Sequence, residues 1–173
     1  MYSGITLETT KTRNLTIKND GNDLHFKIPK GRIPFGFSEK SFNEHSPPSV
    51  NLEIEMTDPD SISQLCMLES AIVDKVLSMK STITPDDFNS NFKNGRLRVK
   101  FHHTTSHTYD SNGKPLTALI EDRAYKGWKA SCKARASGVY FMNKKFGIIW
   151  SAEQIKLFDE KSGISGYAFV DDD

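Results

Sequence analysis

The chain has 173 residues, near-balanced charge (+1) and a modest 36% apolar content. The length fits one domain with a single core, and the composition is that expected of a soluble globular protein with sizeable polar loops. The even total hides a division: residues 1–50 carry +2, 51–92 carry −6, 93–145 carry +9 and 146–173 carry −4. The basic third holds twelve Lys/Arg against three Asp/Glu, the footprint of a polyanion partner. Cys66 and Cys132 each lie in an apolar pattern and are read as buried small hydrophobes rather than a disulfide or metal pair. The N-terminus carries no signal-like apolar run and no stretch approaches a membrane span, so an intracellular, reduced and soluble protein is expected.

In chain order, residues 1–22 are rich in Thr, Asn, Lys and Gly and predict an irregular arm with at most one short strand. Residues 24–28 alternate as a strand closed by Pro29. The next twenty, with Gly31, Pro34, Gly36 and Pro47-Pro48, predict a long structured loop. Residues 51–56 alternate again, with Leu52, Ile54 and Met56 on the buried face. Thr57 or Asp58 then caps a helix that begins at Pro59, where a missing N–H costs nothing. Ile62, Leu65, Cys66, Ile72, Val73, Val76 and Leu77 form its apolar stripe over about 59–79, a packing helix rather than a functional one.

Residues 95–103 return to strand. In Arg96-Leu97-Arg98-Val99-Lys100-Phe101-His102 every second residue is cationic or imidazole and the intervening three are apolar, so one face meets the core and the other is basic. Residues 109–114 contain Asn112-Gly113 and predict a turn. Residues 117–123 predict a strand. From Trp128 to Arg135 the alternation recurs, with Trp128, Ala130, Cys132 and Ala134 inward and Lys129, Ser131, Lys133 and Arg135 outward. Gly138 to Phe141 extends this strand, Asn143-Lys144-Lys145 turns, and Phe146 to Phe158 returns with Trp150 in the core. Gly163 and Gly166 precede an acidic tail, residues 163–173. Short antiparallel strands with one inserted helix predict a mainly β, single-domain, five-stranded barrel of the OB type, with long loops, over residues 1–173.

If the strands at 96–102 and 129–135 lie side by side, their cationic rows merge into a groove that tracks a phosphate backbone. Aromatic residues stand alongside it, and base stacking on such rings tolerates any sequence. Arg96, Arg98, Lys100, Lys126, Lys129, Lys133, Arg135, Lys144 and Lys145 are the candidate phosphate contacts. Tyr109, Tyr125 and Tyr140, near turns and strand ends, are the candidate stacking rings. A solvated basic surface is the plain alternative. No phosphate loop, nucleophile elbow or dinucleotide fingerprint is present, and no carboxylate cluster suits a metal-dependent nuclease, so the chain reads as non-catalytic. His102, His103 and His107 lack partners at ligand spacing.

Leu52-Glu53-Ile54-Glu55-Met56 followed by Asp58-Pro59 and the helix, with the Leu97-x-Val99-x-Phe101 strand, resembles the single-stranded DNA-binding proteins of T7-type phages. Gly127-Trp128-Lys129-Ala130, Gly138-Val139-Tyr140, Gly147-Ile148-Ile149-Trp150 and Ile155-Lys156-Leu157-Phe158 resemble those of large nucleocytoplasmic DNA viruses, such as the African swine fever virus type. The resemblance covers about residues 50–160. It implies an OB fold and sequence-independent single-stranded DNA binding in viral replication, recombination or repair, with no cofactor. The setting it implies is the host cytoplasm or viral factory, the nucleus, or the virion.

The partners so implied are single-stranded DNA or RNA, replication proteins and a second copy of the chain, with no membrane. Some relatives end in an acidic, aromatic-tipped tail that contacts replication partners, and Phe169 with Asp171, Asp172 and Asp173 resembles a minimal version. A solvated terminus is the alternative for that tail. The alternative for the whole chain is a protein–protein adaptor or structural virion protein whose basic face docks on an acidic partner.

Overall fold

The computed structural model describes residues 4–10, 14–40, 49–116 and 122–159. The predicted acidic tail and most of the predicted strand at 117–123 lie outside these residues. Five strands build the barrel: β3 (His25–Arg32), β5 (Ser49–Glu55), β7 (Arg96–Phe101), β10 (Lys129–Met142) and β11 (Lys145–Phe158). Their order is β3-β10-β11-β7-β5, all antiparallel except the β11–β7 pair. The ring closes where β3 meets β5: a Cβ built on Gly31 would fall 1.9 Å from the Glu55 carbonyl oxygen, an approach only glycine allows.

Smaller strands decorate this ring. β1 (Ile5–Thr9) and β2 (Leu15–Asn19) form a hairpin that joins β10 through Gly138 opposite Thr16. β4 (Phe37–Lys40) pairs with β5, β6 (Phe92–Lys93) with β7, and β8 (His107–Tyr109) with both β11 and β9 (Pro115–Leu116).

The helix α1 (Pro59–Met79) has the predicted bounds and start. The Asp58 carboxylate accepts from the Ser61 N–H at 3.2 Å and its hydroxyl at 2.7 Å, which lowers the Asp58 pKa. Leu65, Leu68, Ile72 and Val76, spaced at three and four, sit fully buried in the core. Trp150 joins the same core, with its ring 6.0 Å from Phe26.

Four expectations are corrected. The stretch 1–22 is not an irregular arm: the Ile5-x-Leu7 and Leu15-x-Ile17 alternations make a hairpin with Ile5, Leu15 and Ile17 buried. Pro29 does not close β3. It occupies the one irregularity in the β3–β10 register, between the Ile28–Cys132 and Gly31–Ala130 pairs, where its missing N–H goes unused. The stretch after it is not all loop, since β4 pairs with β5 from Phe37 onward. Cys66 is exposed rather than buried: one residue past Leu65 it points about 100° away, and Leu68 takes the core position.

Candidate nucleic-acid interface

Burial alternates strictly along β7, so Arg96, Arg98 and Lys100 share the outer face while Leu97, Val99 and Phe101 face the core. The same alternation on β10 turns Ser131, Lys133 and Arg135 outward and buries Ala130, Cys132, Ala134 and Ala136. These two basic strands are not neighbours, as the groove argument required, because β11 runs between them. The rows still meet. Ser151 of β11 stands opposite Arg135 on one side and Lys100 on the other. Lys100 in turn faces Asn51 of β5, and Arg135 faces His25 of β3. One transverse row, His25–Arg135–Ser151–Lys100–Asn51, therefore crosses the outer side of all five barrel strands, with Ser151 itself buried at its middle. The imidazole of His102 is held below its ordinary pKa by desolvation first, then by Lys100 and Arg135, so it is neutral at neutral pH.

Toward β5 the row opens on a pocket of about 400 Å³, where Arg98, Arg123 and Lys126 gather with Glu53 and the exposed ring of Phe35. In the other direction lies a groove of about 660 Å³ between β3, β10, β11 and the turn after β8. Lys133 and Tyr109 line it, with Lys27 opposite Lys133 across the ladder. A smaller recess of about 220 Å³ beside Arg135, Ser151 and Glu153 lies between them on the row.

The predicted residues thus divide. Arg98, Lys100 and Lys126 gather at one end of the face and Lys133, Arg135 and Tyr109 at the other. Arg98, Lys100, Lys126 and Lys133 make no ion pair among the described residues, so a ligand phosphate would displace no carboxylate there. Arg96 is committed locally: its Nε donates to Glu53 Oε1 at 3.1 Å and its guanidinium lies 5.1 Å from the Phe35 ring centre. Arg135 Nε lies 3.3 Å from Glu153 Oε2. Lys129 begins β10 opposite Arg32 and Phe158, Lys144 lies in the β10–β11 turn, and Lys145 begins β11 opposite Met142.

The stacking candidates divide as well. Tyr109 is half-buried at the groove wall. Tyr125 packs edge-on against Phe37 at 6.0 Å and Trp128 at 4.9 Å, which ties its ring to the core. Tyr140 lies over Gly147, where a Cβ would come within 2.5 Å of the ring, and its hydroxyl accepts from Asn89 Nδ2 at 3.3 Å. Lys27, Lys156, Arg123 and Phe35 line the pockets without having been singled out in the sequence. Lys27 and Lys156 carried a signal, since each alternates with buried Phe26 and Ile28 or Ile155 and Leu157. Only the strand pairing shows that they share a groove.

Asp23, His25 and Glu153 place one potential ligand atom each within 4.8 Å of one another. All three are engaged within the protein. Asp23 accepts from Lys18 Nζ at 2.7 Å, which lowers its pKa, and Glu153 bonds both His25 and Arg135.

The fold is therefore a mainly β barrel of the OB type with its helix inserted between β5 and β7. No protein-family model matches the chain, and no curated protein matches it. Solved structures do. Gp2.5, a single-stranded DNA-binding protein encoded by bacteriophage T7, superposes with a TM-score of 0.52 at 17% identity, covering 83% of this chain and 91% of that one. The single-stranded DNA-binding protein from bacteriophage Enc34 does so as a C-terminal truncation, at TM-score 0.54 and 11% identity, covering 95% and 99%. In complex with ssDNA the same phage protein gives 0.51 at 11%, covering 94% and 98%. At these identities the likeness is one of fold.

Proposed function

We propose that this protein binds single-stranded DNA without base preference, along the basic outer face of its barrel, and does no chemistry on it. The observation that carries this is the transverse row. It sets Lys100 of β7 and Arg135 of β10 in one line across the small, buried Ser151, with Arg98 and Lys133 one row to either side, and so brings two separate basic strands onto one face. A face of that kind neutralises phosphates and releases their counterions whatever the sequence. The phage proteins that share the fold are single-stranded DNA-binding proteins by name, and one was solved with ssDNA. The resemblance to the proteins of large nucleocytoplasmic DNA viruses supports a role in viral DNA replication, recombination or repair.

The test is fluorescence anisotropy of labelled oligo-dT across a salt series, with duplex DNA as competitor. The expected result is salt-weakened binding that prefers the single strand. It should be reduced in the Lys129→Ala/Lys133→Ala/Arg135→Ala variant, with a shallower salt slope. No binding to any oligonucleotide at low salt overturns the function, and the absence of single-strand preference would favour an adaptor instead.

A further inference from the structure

The groove of about 660 Å³ stands apart from the β5–β7 face, on the surface of β3, β10 and β11. Its lining contains three lysines, Lys27, Lys133 and Lys156, and no carboxylate, whereas the pocket beside Arg98 includes Glu53 and the recess beside Arg135 includes Glu153. Lys27 and Lys133 face each other across the β3–β10 ladder and make no ion pair among the described residues. Lys156 lies one row further along, opposite both Ser131 and Tyr109. The acid nearest in sequence on that wall, Asp110, is turned into its own loop: Oδ1 accepts from the Asn112 and Lys114 N–H groups, each at 2.9 Å. Burial pushes the Cys132 thiol up to about 12, so the floor carries no negative charge either.

Resting on the function proposed above, we infer that this groove is a nucleotide subsite. A backbone phosphate sits between Lys27 and Lys133, a base lies against Tyr109, and Lys156 flanks both. The strand leaves the β5–β7 face, crosses the row at Ser151 and continues onto this side of the barrel. Single-stranded DNA fits because the subsite pairs cations, which hold a phosphate, with one half-buried aromatic ring, on which any base can stack.

The experiment compares wild-type protein with two kinds of variant by anisotropy on a long oligo-dT. Lys27→Ala/Lys156→Ala should flatten the dependence of log K on log salt by about 0.7, one phosphate's worth. Tyr109→Ala should weaken binding about fivefold or more, while Tyr109→Phe, which keeps the ring, should bind as wild type. An unchanged slope in the double variant, with wild-type binding intact, overturns the subsite and leaves the proposed function standing. Absence of wild-type binding overturns both. Lys27 and Lys156 are exposed and Tyr109 is only half-buried, so circular dichroism should show both kinds of variant folded.

Discussion

The carboxylate of Glu153 stands 2.8 Å from His25 Nε2 and 3.3 Å from Arg135 Nε, between the cations of β7 and those of β10. It gets there by a bulge. Lys133 pairs with Gln154 and Ala134 with Ala152, so Glu153 is the extra residue that the ladder pushes out between them. The acid occupies the position on Arg135 that a phosphate would take.

Replacing it with glutamine keeps the shape and removes the competing charge. Glu153→Gln should bind oligo-dT more tightly at low salt and show a steeper salt dependence, because Arg135 becomes available to a phosphate. The ion pairs involved are partly exposed, so the melting temperature should move little. Anisotropy titrations at several salt concentrations check this, and equal or weaker binding by the variant would show that Glu153 does not compete for Arg135.

Barrel closure rests on one absent side chain. Gly31 brings β3 so near Glu55 that a methyl group would overlap the backbone carbonyl. Gly31→Ala should therefore cost roughly 1–3 kcal/mol or more, the usual penalty for overpacking, and lower the midpoint of urea unfolding. Gly113→Ala makes a useful contrast. Its Cβ would meet nothing, but its φ of +82° is left-handed, so any loss there comes from backbone strain alone.

The helix stripe, the outward cations of β7 and β10 and the core position of Trp150 were legible in the sequence because each depends only on local periodicity. Partnership across strands was not. Nothing local says that β11 separates the two basic strands, or that Lys27 ends up opposite Lys133, since those facts come from a register fixed by distant residues. Tyr125 shows the same limit at a single site. Its place beside a turn suggested an open ring, yet it folds back onto Phe37 and Trp128. Polar composition misled at the N-terminus, where one alternating pair in each of two short segments sufficed to add a hairpin to the sheet.

Glu69 gives the fold a pH dependence of definite sign. It faces the interior of α1's packing surface, where burial raises its carboxyl pKa and the Ser90 hydroxyl, donating to Oε2 at 2.7 Å, partly offsets that. The folded state thus favours the protonated acid more than the unfolded chain does. This contribution is fully present below the ordinary glutamate value and is lost as pH rises from there through the higher folded value. Glu69→Gln keeps an acceptor for Ser90 and removes the charge. Its urea midpoint should exceed that of wild type at neutral pH, and the difference should shrink as pH falls toward 4. Parallel midpoints at every pH would show that Glu69 ionises as readily in the folded protein as in the unfolded chain.

The two cysteines should behave oppositely toward a thiol reagent. Cys66 is exposed on the outer side of α1, while Cys132 is buried and its thiol is raised to about 12, first by desolvation and then by the Glu153 charge. The thiolate is the reactive form, so Cys132 is shielded both by access and by protonation. Brief treatment of the native protein with iodoacetamide at mildly alkaline pH should add one label, at Cys66, and denaturant should release the second. Mass spectrometry of tryptic peptides distinguishes the sites. Labelling of Cys132 at a comparable rate in native buffer would mean that β10 opens readily from the barrel, and the basic row would then be a transient feature rather than a preformed track.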